Sequence, residues 1–330
     1  MNDRLSQIIS TYGITNASIN RLAENKEAYK VTDDSQKNYF LKIYNIRDGD
    51  DMIPNENVYH THELIHNEME MLHLLSGGAL ETAVPIKNIM GEWVTILPPG
   101  TQNDPPEYAT MTSFIKAETV ENASFPMTEM AFYAGVSAAQ LHIESEKRLL
   151  PLAVKRPHKR QEYMQKMKCR LAVSTGAINA SQLNMLNQCA DIIIGCMNRL
   201  DVNMPYNVGL VHTDIRAANC VYMPKKAIPI DFSRSVYSYY LYDLGEMCAH
   251  MGGVDPNHDV RNAILQGYQS VKPFHEGHLF AVQAFMAMFL MMVAAETVDN
   301  LQNSWRDELF ITFENEIHPG LISDRGFFKI

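Results

Sequence analysis

Four polar side chains in the second half of the chain have types and spacing that suit phosphoryl transfer. His212, Asp214 and Asn219 form the pattern HxDxxxxN, and Asp231 follows the apolar run 227–230. Phosphoryl transfer requires a base near the acceptor hydroxyl, metal ions that bridge the phosphates, and fixed positive charge. Asp214 can be that base, and Asn219 and Asp231 offer the hard oxygen ligands that Mg²⁺ prefers.

A strand residue in the first part of the chain can supply the positive charge. The segment VTDDSQKNYFLKIY contains a polar turn between two β-prone runs, which predicts a hairpin with Lys42 in its second strand. The following segment HELIHNEMEMLHLL has helical spacing and ends at two glycines. Glu68 on this helix is the preferred partner for Lys42, and Glu63 and Glu70 remain open as alternatives.

The sequence pattern from residue 84 onward predicts where the strands end and the helices begin. Further strands are expected over residues 84–89, 93–97 and 108–115, with the last two paired and joined by a proline-rich loop. Residues 128–145 have a helical pattern, and so do most later segments. The sequence therefore indicates a β-rich part followed by a mostly helical part, with a boundary near residues 113–120.

These residues resemble the aminoglycoside phosphotransferase and choline kinase family, which includes the type II homoserine kinases. The catalytic loop of that family has the form HxDxxxxN, and its metal motif is similar to IDF at 230–232. Two further motifs of the family are similar to AQLH at 139–142 and YDLG at 242–245. The motifs occur in the family's order and extend over most of the chain, from about Asn25 to Tyr268.

The resemblance implies an α+β, two-lobed protein-kinase-like fold. Residues 1–115 would form a β-rich lobe that binds the nucleotide, and residues 116–330 a mostly helical lobe with the catalytic loop and the acceptor site. ATP or GTP would be the phosphate donor, with Mg²⁺ as the metal. Asp214 would be the base, Arg216 would neutralise charge at the transferred phosphate, and Asn219 and Asp231 would hold Mg²⁺. The residues expected to bind the nucleotide are Lys42, Glu68, Asn25, Ser113 and Ile115.

Two departures from the family pattern concern loops. Thr213 stands where the family usually has glycine, and LAENKEAYKV contains no glycine, so residues 25–27 are expected to form the turn over the nucleotide. We expect His212 to brace the catalytic loop by hydrogen bonding rather than to transfer protons. Asp243 is expected to hold the same loop by accepting hydrogen bonds from backbone, Arg or His donors.

The resemblance leaves the acceptor open. The expected reaction moves the γ-phosphate to a hydroxyl of a small molecule such as an aminoglycoside, an amino alcohol or a homoserine-like compound. Alternatives are a kinase that acts on proteins and a nucleotide-binding regulatory pseudokinase. The net charge of −10 is compatible with a cationic substrate. It argues against nucleic acid as a partner, because an acidic surface repels phosphate backbones.

Cysteine usage and hydropathy indicate the compartment. The five cysteines are odd in number and form no CxxC pair, which fits a reducing cytoplasm better than a disulfide framework. The long apolar run 279–295 is interrupted by Gln283 and is slightly short for a membrane span. We therefore expect a buried core helix, a cytoplasmic protein and no membrane partner.

A rival interpretation comes from HELIH at 62–66, which matches the zinc-peptidase pattern HExxH. Two histidines four residues apart on a helix share a face and can bind Zn²⁺, with the glutamate as base. The extended metal motif fails because Met69 stands where glycine is required. A zinc peptidase is therefore kept as a remote alternative.

Overall fold

The computed structural model describes residues 2–22, 27–44, 61–98, 106–173, 178–202, 207–252, 258–273, 276–297 and 304–323. The chain divides into two compact units, Met1–Ala117 and Glu118–Ile330. The sequence pattern placed the boundary near residues 113–120, and the family resemblance implied units of 1–115 and 116–330. The assignment of nucleotide binding to one unit and acceptor binding to the other stays a prediction.

The first unit is built on one antiparallel sheet. Its helices and strands are α1 (Asn2–Ser10), β1 (Ala17–Arg21), β2 (Ala28–Asp33), β3 (Asn38–Tyr44), α2 (His62–Leu75), β4 (Pro85–Ile86), β5 (Thr95–Leu97) and β6 (Glu107–Ser113). The strand order is β1-β2-β3-β6-β4, and β5 pairs with β6. The predicted hairpin and the predicted pairing of the last two strands are confirmed.

A tight turn sets the position of Lys42. Asp33 Oδ1 accepts hydrogen bonds from the backbone N–H groups of Ser35 and Lys37, both at 2.9 Å. This side-chain acceptor replaces a backbone group and closes the turn between β2 and β3. Lys42 therefore lies in a strand that pairs with β2 on one side and with β6 on the other.

Helix α1 completes the core of this unit, although the sequence pattern did not predict it. Leu5, Ile8 and Ile9 are buried and pack with Val31 and Leu41 of the sheet. The spacing of these three residues places them on one helical face. The sheet therefore has an apolar layer against it that is formed by the beginning of the chain.

Helix α2 carries the predicted partner of Lys42. Thr61 caps the helix, since its side chain accepts a hydrogen bond from Leu64 N at 3.2 Å. Ile65, Glu68 and Leu72 lie at helical spacing and are buried. Glu68 is thus a carboxylate on the buried face of an amphipathic helix.

The second unit is mostly helical. Its helices and strands are α3 (Met127–Glu144), α4 (Leu150–Ala153), β7 (His158–Lys159), α5 (Gln161–Val173), α6 (Ala180–Asp201), β8 (Val208–Val211), β9 (Cys220–Met223), β10 (Lys226–Pro229), β11 (Val236–Tyr239), α7 (Tyr240–Gly252), α8 (His258–Gln269), α9 (Glu276–Thr297), α10 (Ser304–Thr312) and α11 (His318–Ile322). The strands form a β9–β10 hairpin and a three-stranded sheet in the order β7-β11-β8. The predicted change from strands to helices is confirmed.

Helices α3 and α8 approach each other closely at two glycines. A Cβ atom at Gly135 would lie 2.1 Å from a backbone oxygen of α8, and one at Gly267 would lie 1.9 Å from a backbone oxygen of α3. Real side chains never come so close, so both positions require glycine. This contact brings His142 on α3 next to Tyr268 on α8.

Helix α9 is apolar on all sides. By length and composition its segment Gly277–Ala295 could cross a membrane, and within the described residues it is the one helix that meets both criteria. However, 78% of the segment is buried inside the protein. The helix packs against α6 and α7, which favours the interpretation as a core helix.

Candidate active site

The catalytic loop begins where β8 ends and is held by a carboxylate from α7. The backbone N–H of His212 donates to Asp243 Oδ2 at 2.9 Å, and that of Thr213 donates to Asp243 Oδ1 at 2.7 Å. His142 Nε2 donates to the same carboxylate at 3.0 Å, and the Tyr268 hydroxyl lies 2.9 Å from His142 Nδ1. The predicted role of Asp243 in holding the loop is confirmed.

Hydrogen bonding decides the protonation of Asp243. Burial alone would raise the pKa of this carboxyl. The hydrogen bond and charge of His142 and the backbone donor of His212 outweigh burial, so the pKa lies below its usual value. Asp243 is therefore an ionised acceptor in the interior of the second unit.

Thr213 adopts a conformation that explains why glycine is usual at this position. Its φ is +59°, in the left-handed region that a β-branched residue rarely occupies. Its Oγ1 donates a hydrogen bond to the Arg234 carbonyl at 2.7 Å. The side chain that causes the strain thus also forms a bond that connects the catalytic loop to the segment after Asp231.

Two side chains of the same loop, one an amide and one a cation, lie next to the Asp214 carboxylate. Asn219 Nδ2 donates to Asp214 Oδ2 at 2.5 Å and to the Asp214 carbonyl at 3.2 Å. Arg216 Nε lies 3.1 Å from Asp214 Oδ1. The structure therefore brings the predicted base, the predicted charge-neutralising arginine and one predicted metal ligand together. Because the Asn219 nitrogen faces Asp214, its carbonyl oxygen is the atom suited to a metal ion.

Asp231 follows β10 in a left-handed conformation, with φ of +63°. Ser233 Oγ donates to Asp231 Oδ1 at 2.7 Å, and Ile230 N donates to the Asn219 carbonyl at 2.9 Å. The second bond connects the backbones that carry the two predicted Mg²⁺ ligands. A carboxylate and an amide carbonyl, carried by backbone segments that are bonded in this way, are oxygen donors of the kind that Mg²⁺ prefers.

A buried arginine supports the segment after Asp231. Arg156 Nε donates to the Ser235 carbonyl at 2.8 Å, and its Nη2 donates to the Ser233 carbonyl. A guanidinium carries five donors in a fixed plane and can therefore hold several carbonyls at once. Nothing in the local sequence predicts this role, because Arg156 matches no motif and lies far from the loop in sequence.

In the first unit, Lys42 and Glu68 share a neighbour. Lys42 Nζ lies 4.8 Å from the centroid of the Tyr44 ring, and Tyr44 donates to Glu68 Oε2 at 3.5 Å. Glu63 is exposed, and Glu70 lies 3.8 Å from His66 Nδ1. These contacts favour Glu68 over the two alternatives, and its role in orienting Lys42 stays a prediction.

The other predicted nucleotide contacts are placed as follows. Ser113 ends β6, its N–H donates to the Val84 carbonyl, and its Oγ accepts from Val84 N, each at 2.8 Å. The Ile115 carbonyl accepts from Ala117 N at 3.1 Å. The backbone donor of Ser113 is thus already used within the unit. Asn25 lies outside the described residues.

Comparison with known proteins decides the family. The model of a family described as the phosphotransferase enzyme family matches residues 18–279. The chain belongs to this family. It is therefore a phosphotransferase, as the HxDxxxxN loop and the other motifs predicted. A comparison with curated protein sequences found no significant match.

Solved structures agree with this fold. A microcompartment-associated aminopropanol kinase has a TM-score of 0.71 at 17% identity, with 99% of each chain covered. The amicoumacin kinase hAmiN, in complex with AMP-PNP, Ca²⁺ and Ami, has a TM-score of 0.70 at 16% identity, with 100% of this chain and 95% of that chain covered. Spectinomycin phosphotransferase APH(9)-Ia, with ADP and spectinomycin, has a TM-score of 0.57 at 17% identity, with 94% and 93% covered. The predicted kinase-like α+β fold is confirmed.

The phosphotransferase has one further group of polar side chains next to its predicted base. Asp214, Glu246 and His250 each offer an atom within 4.8 Å of the other two, and no other such group of three occurs in the described part of the chain. Glu246 Oε1 lies 3.8 Å from His250 Nε2. The sequence carried a signal for this pair, since glutamate and histidine four residues apart on a helix share a face.

Burial shifts the pKa of both α7 residues in this group. Burial and the nearby charges of Asp214 and Asp243 raise the pKa of Glu246 well above its usual value, although the charge of Lys159 and a hydrogen bond with Tyr242 lower it. Burial also lowers the pKa of His250 to about 4. The imidazole is therefore neutral at physiological pH, and the carboxyl holds its proton more strongly than a solvated glutamate does.

The His212 side chain packs in the interior, and the hydrogen bond of this residue to the loop support comes from its backbone. Its ring is fully buried, and neither ring nitrogen has a hydrogen-bond partner among the described residues. The ring instead packs against Phe232, with 4.5 Å between centroids. His212 thus braces the loop by hydrogen bonding, as predicted, and the donor is its backbone N–H, which bonds to Asp243.

The HExxH segment is part of α2. The rings of His62 and His66 are 6.2 Å apart, and His62 packs against Tyr108 at 5.5 Å. This segment lies within the residues that match the phosphotransferase family. The helix thus has a place in the family's fold, where it also carries Glu68.

Proposed function

We propose that the protein transfers the γ-phosphate of ATP to a hydroxyl group of a small molecule. The observation that carries this proposal is the placement of Asp214, whose carboxylate is held between Asn219 and Arg216 on a loop fixed by Asp243. A base with this support keeps one orientation toward an acceptor. The solved structures named above are kinases or phosphotransferases for aminopropanol, amicoumacin and spectinomycin, and the last two are complexes with AMP-PNP and ADP, which supports a small acceptor and an adenine nucleotide.

Each candidate residue has a distinct role in the proposed reaction. Asp214 accepts the proton of the acceptor hydroxyl while the acceptor oxygen bonds to the γ-phosphorus and the bond to the β-phosphate oxygen breaks, which releases ADP. Arg216 neutralises negative charge at the transferred group. Lys42 binds nucleotide phosphates, and Glu68 orients Lys42.

Asn219 and Asp231 would hold Mg²⁺, because they offer an amide and a carboxylate oxygen from adjacent backbone segments. When bound, the metal ion neutralises charge on the phosphates. Ser233 and Arg156 keep the Asp231 segment in position for this role.

The acceptor classes under this proposal are amino alcohols, aminoglycosides and homoserine-like compounds. GTP in place of ATP and a regulatory pseudokinase are alternatives that the experiment below separates, and a protein acceptor is a third alternative. We also propose a cytoplasmic location, because all five cysteines are free and reduced thiols persist in a reducing compartment.

The proposal is tested by incubating the purified protein with Mg²⁺, ATP or GTP, and a panel of hydroxyl compounds from these classes. We expect nucleotide diphosphate release that depends on one acceptor class, with a phosphate monoester detected by ³¹P NMR. A protein that binds nucleotide but phosphorylates none of the compounds would favour the pseudokinase alternative. A protein that neither binds nor hydrolyses nucleotide would contradict the proposed function.

A further inference from the structure

Tyr44 on β3 contacts both side chains that the proposed function assigns to the nucleotide phosphates. Lys42 Nζ lies 4.8 Å from the centroid of the Tyr44 ring. The Tyr44 hydroxyl lies 3.5 Å from Glu68 Oε2. Neither the sequence motifs nor the mechanism above gives Tyr44 a role.

The alternation of side chains along β3 places Lys42 and Tyr44 next to each other. Residues two positions apart on a strand share a face of the sheet. The residues that pair with Lys42 are small, Ala28 on β2 and Thr110 on β6. The Lys42 side chain can therefore turn along its own strand toward the Tyr44 ring. A lysine ammonium over an aromatic ring at this distance is attracted by the negative face of the ring.

The Tyr44 ring is itself held in place. Tyr44 is 2% exposed and packs in a buried cluster with Ile65 of α2, Tyr108 of β6 and Val94. Ile65 and Glu68 lie about one turn apart on the buried face of α2. Tyr44 therefore connects α2 with the strand that carries Lys42. A ring in such packing cannot turn away from Lys42 without disrupting its neighbours.

An aromatic ring is well suited to hold a lysine that binds phosphate. A lysine side chain has several rotatable bonds and loses much rotamer entropy when a ligand fixes it. A ring that already holds the ammonium reduces this loss at the moment of binding. Unlike a carboxylate, the ring has no net charge, so the full positive charge of Lys42 remains available to the nucleotide phosphates.

We propose that Tyr44 is a positioning residue whose ring holds the Lys42 ammonium ready for the nucleotide phosphates. This inference rests on the proposed role of Lys42 in binding those phosphates. It assigns to the Tyr44 ring part of the orienting role that the proposed function gives to Glu68. Removal of the ring should therefore weaken nucleotide binding, whereas removal of the hydroxyl alone should not.

Two substitutions separate the ring from the hydroxyl. Tyr44→Leu removes the ring and keeps an apolar side chain, whereas Tyr44→Phe keeps the ring and removes the hydroxyl. Calorimetry with AMP-PNP and Mg²⁺ measures nucleotide affinity without turnover. We expect Tyr44→Leu to raise the Kd by about 3- to 30-fold, the range of a cation–π contact from an exposed to a desolvated site. Tyr44→Phe should change the Kd by less than about 2-fold, because the ring remains.

A double-variant comparison distinguishes positioning of Lys42 from general packing. Lys42→Met removes the ammonium and keeps a long side chain. If the ring acts on the nucleotide through Lys42, Tyr44→Leu should weaken AMP-PNP binding in the parent and change it little in the Lys42→Met protein. A ring that only supports the fold would weaken binding by the same factor in both proteins.

Tyr39 on the same strand provides a matched control. It is buried, and Lys37 Nζ lies 5.2 Å from the centroid of its ring. Tyr39 faces the other side of the sheet from Lys42, because the two residues are three positions apart on β3. Tyr39→Leu should therefore lower the unfolding temperature, as Tyr44→Leu does, and leave the Kd for AMP-PNP unchanged.

NMR measures the contact between Lys42 and Tyr44 without nucleotide. Reductive methylation with ¹³C-formaldehyde labels lysine amines and keeps their positive charge, and a methyl group over the face of an aromatic ring resonates upfield. The Lys42 signal, identified by its loss in Lys42→Arg, should be shifted upfield in the parent and in Tyr44→Phe. In Tyr44→Leu it should move to the position of exposed lysines.

The inference fails, and the proposed function stands, if Tyr44→Leu binds AMP-PNP like the parent or loses equal affinity with and without Lys42. It fails likewise if Tyr44→Phe binds as weakly as Tyr44→Leu, because the hydroxyl near Glu68 would then carry the effect. An unshifted Lys42 signal in the parent overturns the inference even where a variant does not fold. A parent protein that binds neither AMP-PNP nor ADP would instead contradict the proposed function, while the Lys42 signal still tests the contact with Tyr44.

Discussion

Two buried carboxylates on the same helix, Asp243 and Glu246, have opposite surroundings. Asp243 accepts two backbone N–H groups and a histidine, and its pKa is lowered. For Glu246, three residues later, burial and the charges of Asp214 and Asp243 outweigh the opposing effects of Lys159 and Tyr242, and its pKa is raised. Both are almost completely removed from solvent. Burial alone therefore does not reveal the role of a carboxylate.

The pKa values of the two carboxyls differ because their hydrogen-bond donors differ. For Asp243 the fold supplies them, and the result is a fixed catalytic loop. For Glu246 the donors are too few to outweigh burial and the negative charges of Asp214 and Asp243, and the result is a carboxyl that holds its proton more strongly. We therefore interpret the surroundings of Asp243 as favouring an ionised carboxylate and those of Glu246 as favouring a protonated carboxyl, and the predictions below test this contrast.

The largest effect is expected at Asp214. This residue lies near Glu246, on the loop that Asp243 holds. Asp214→Asn should lower kcat and kcat/KM together by about 10²- to 10⁴-fold, because a base that acts in the transition state is lost. Nucleotide affinity, measured by calorimetry, should stay close to that of the parent. Lys42→Ala is the matched contrast and should weaken nucleotide binding as well as turnover. Full activity of Asp214→Asn on an accepted substrate would exclude Asp214 as the base.

Asp243→Asn should destabilise the protein by about 3 kcal/mol, because it leaves His142 and a backbone donor of the loop poorly paired in the interior. The lowered pKa means that the stabilisation by Asp243 is present above the pKa of the unfolded chain and is lost as pH falls through the lower folded value. The stability gap between parent and variant should therefore shrink in acid. Thermal unfolding at pH 7 and near pH 3 measures this gap, and an equal gap at both values would contradict the assignment.

Glu246→Gln should have the opposite sign. Because the folded pKa is raised, the parent loses stability as pH rises above the pKa of the unfolded chain, and glutamine does not titrate. The variant should therefore unfold at a higher temperature than the parent at pH 8 and at about the same temperature near pH 4. A gain of about 1 kcal/mol corresponds to roughly 2–4 °C for a domain of this size. A variant that is less stable than the parent at pH 8 would show that the Glu246 carboxylate stabilises the fold, and would contradict its raised pKa.

The smallest effect is expected at Thr213. Thr213→Gly removes left-handed strain worth about 1–2 kcal/mol and also removes the hydrogen bond to Arg234, worth about 1 kcal/mol. The two changes nearly cancel, so the unfolding temperature should change little. Thr213→Ala keeps the strain and loses the bond, and should be less stable than the parent. Equal stability of parent and Thr213→Ala would show that the bond contributes nothing.

Local sequence patterns predicted much of this fold. The hairpin that carries Lys42, the helix that carries Glu68 and the catalytic loop each depend on contacts close in sequence, such as the Asp33 turn and the Thr61 cap. Helix α1 was not predicted, because a short amphipathic segment has weak periodicity on its own. Its formation depends on the apolar face of the sheet.

The rest of the site depends on contacts distant in sequence. Arg156 bonds to the Ser235 carbonyl, which is 79 positions away in the sequence, and no motif predicts such a contact. Glu246 and His250 share a helical face by their spacing, but which face of α7 meets Asp214 is set by the packing of the whole unit. The nucleotide roles of Lys42, Glu68, Ser113 and Ile115 stay predictions.

The apolar composition of helix α9 affects how the chain must fold during synthesis. A segment as apolar as Gly277–Ala295 has the composition that membrane-insertion machinery selects, so it must find protein partners soon after synthesis. Its partners α6 and α7 precede it in the chain, and chains fold from the N-terminus as they are made. The nascent second unit can thus offer an apolar surface before α9 leaves the ribosome. A circular permutant that places α9 first would lose this order and should aggregate during expression.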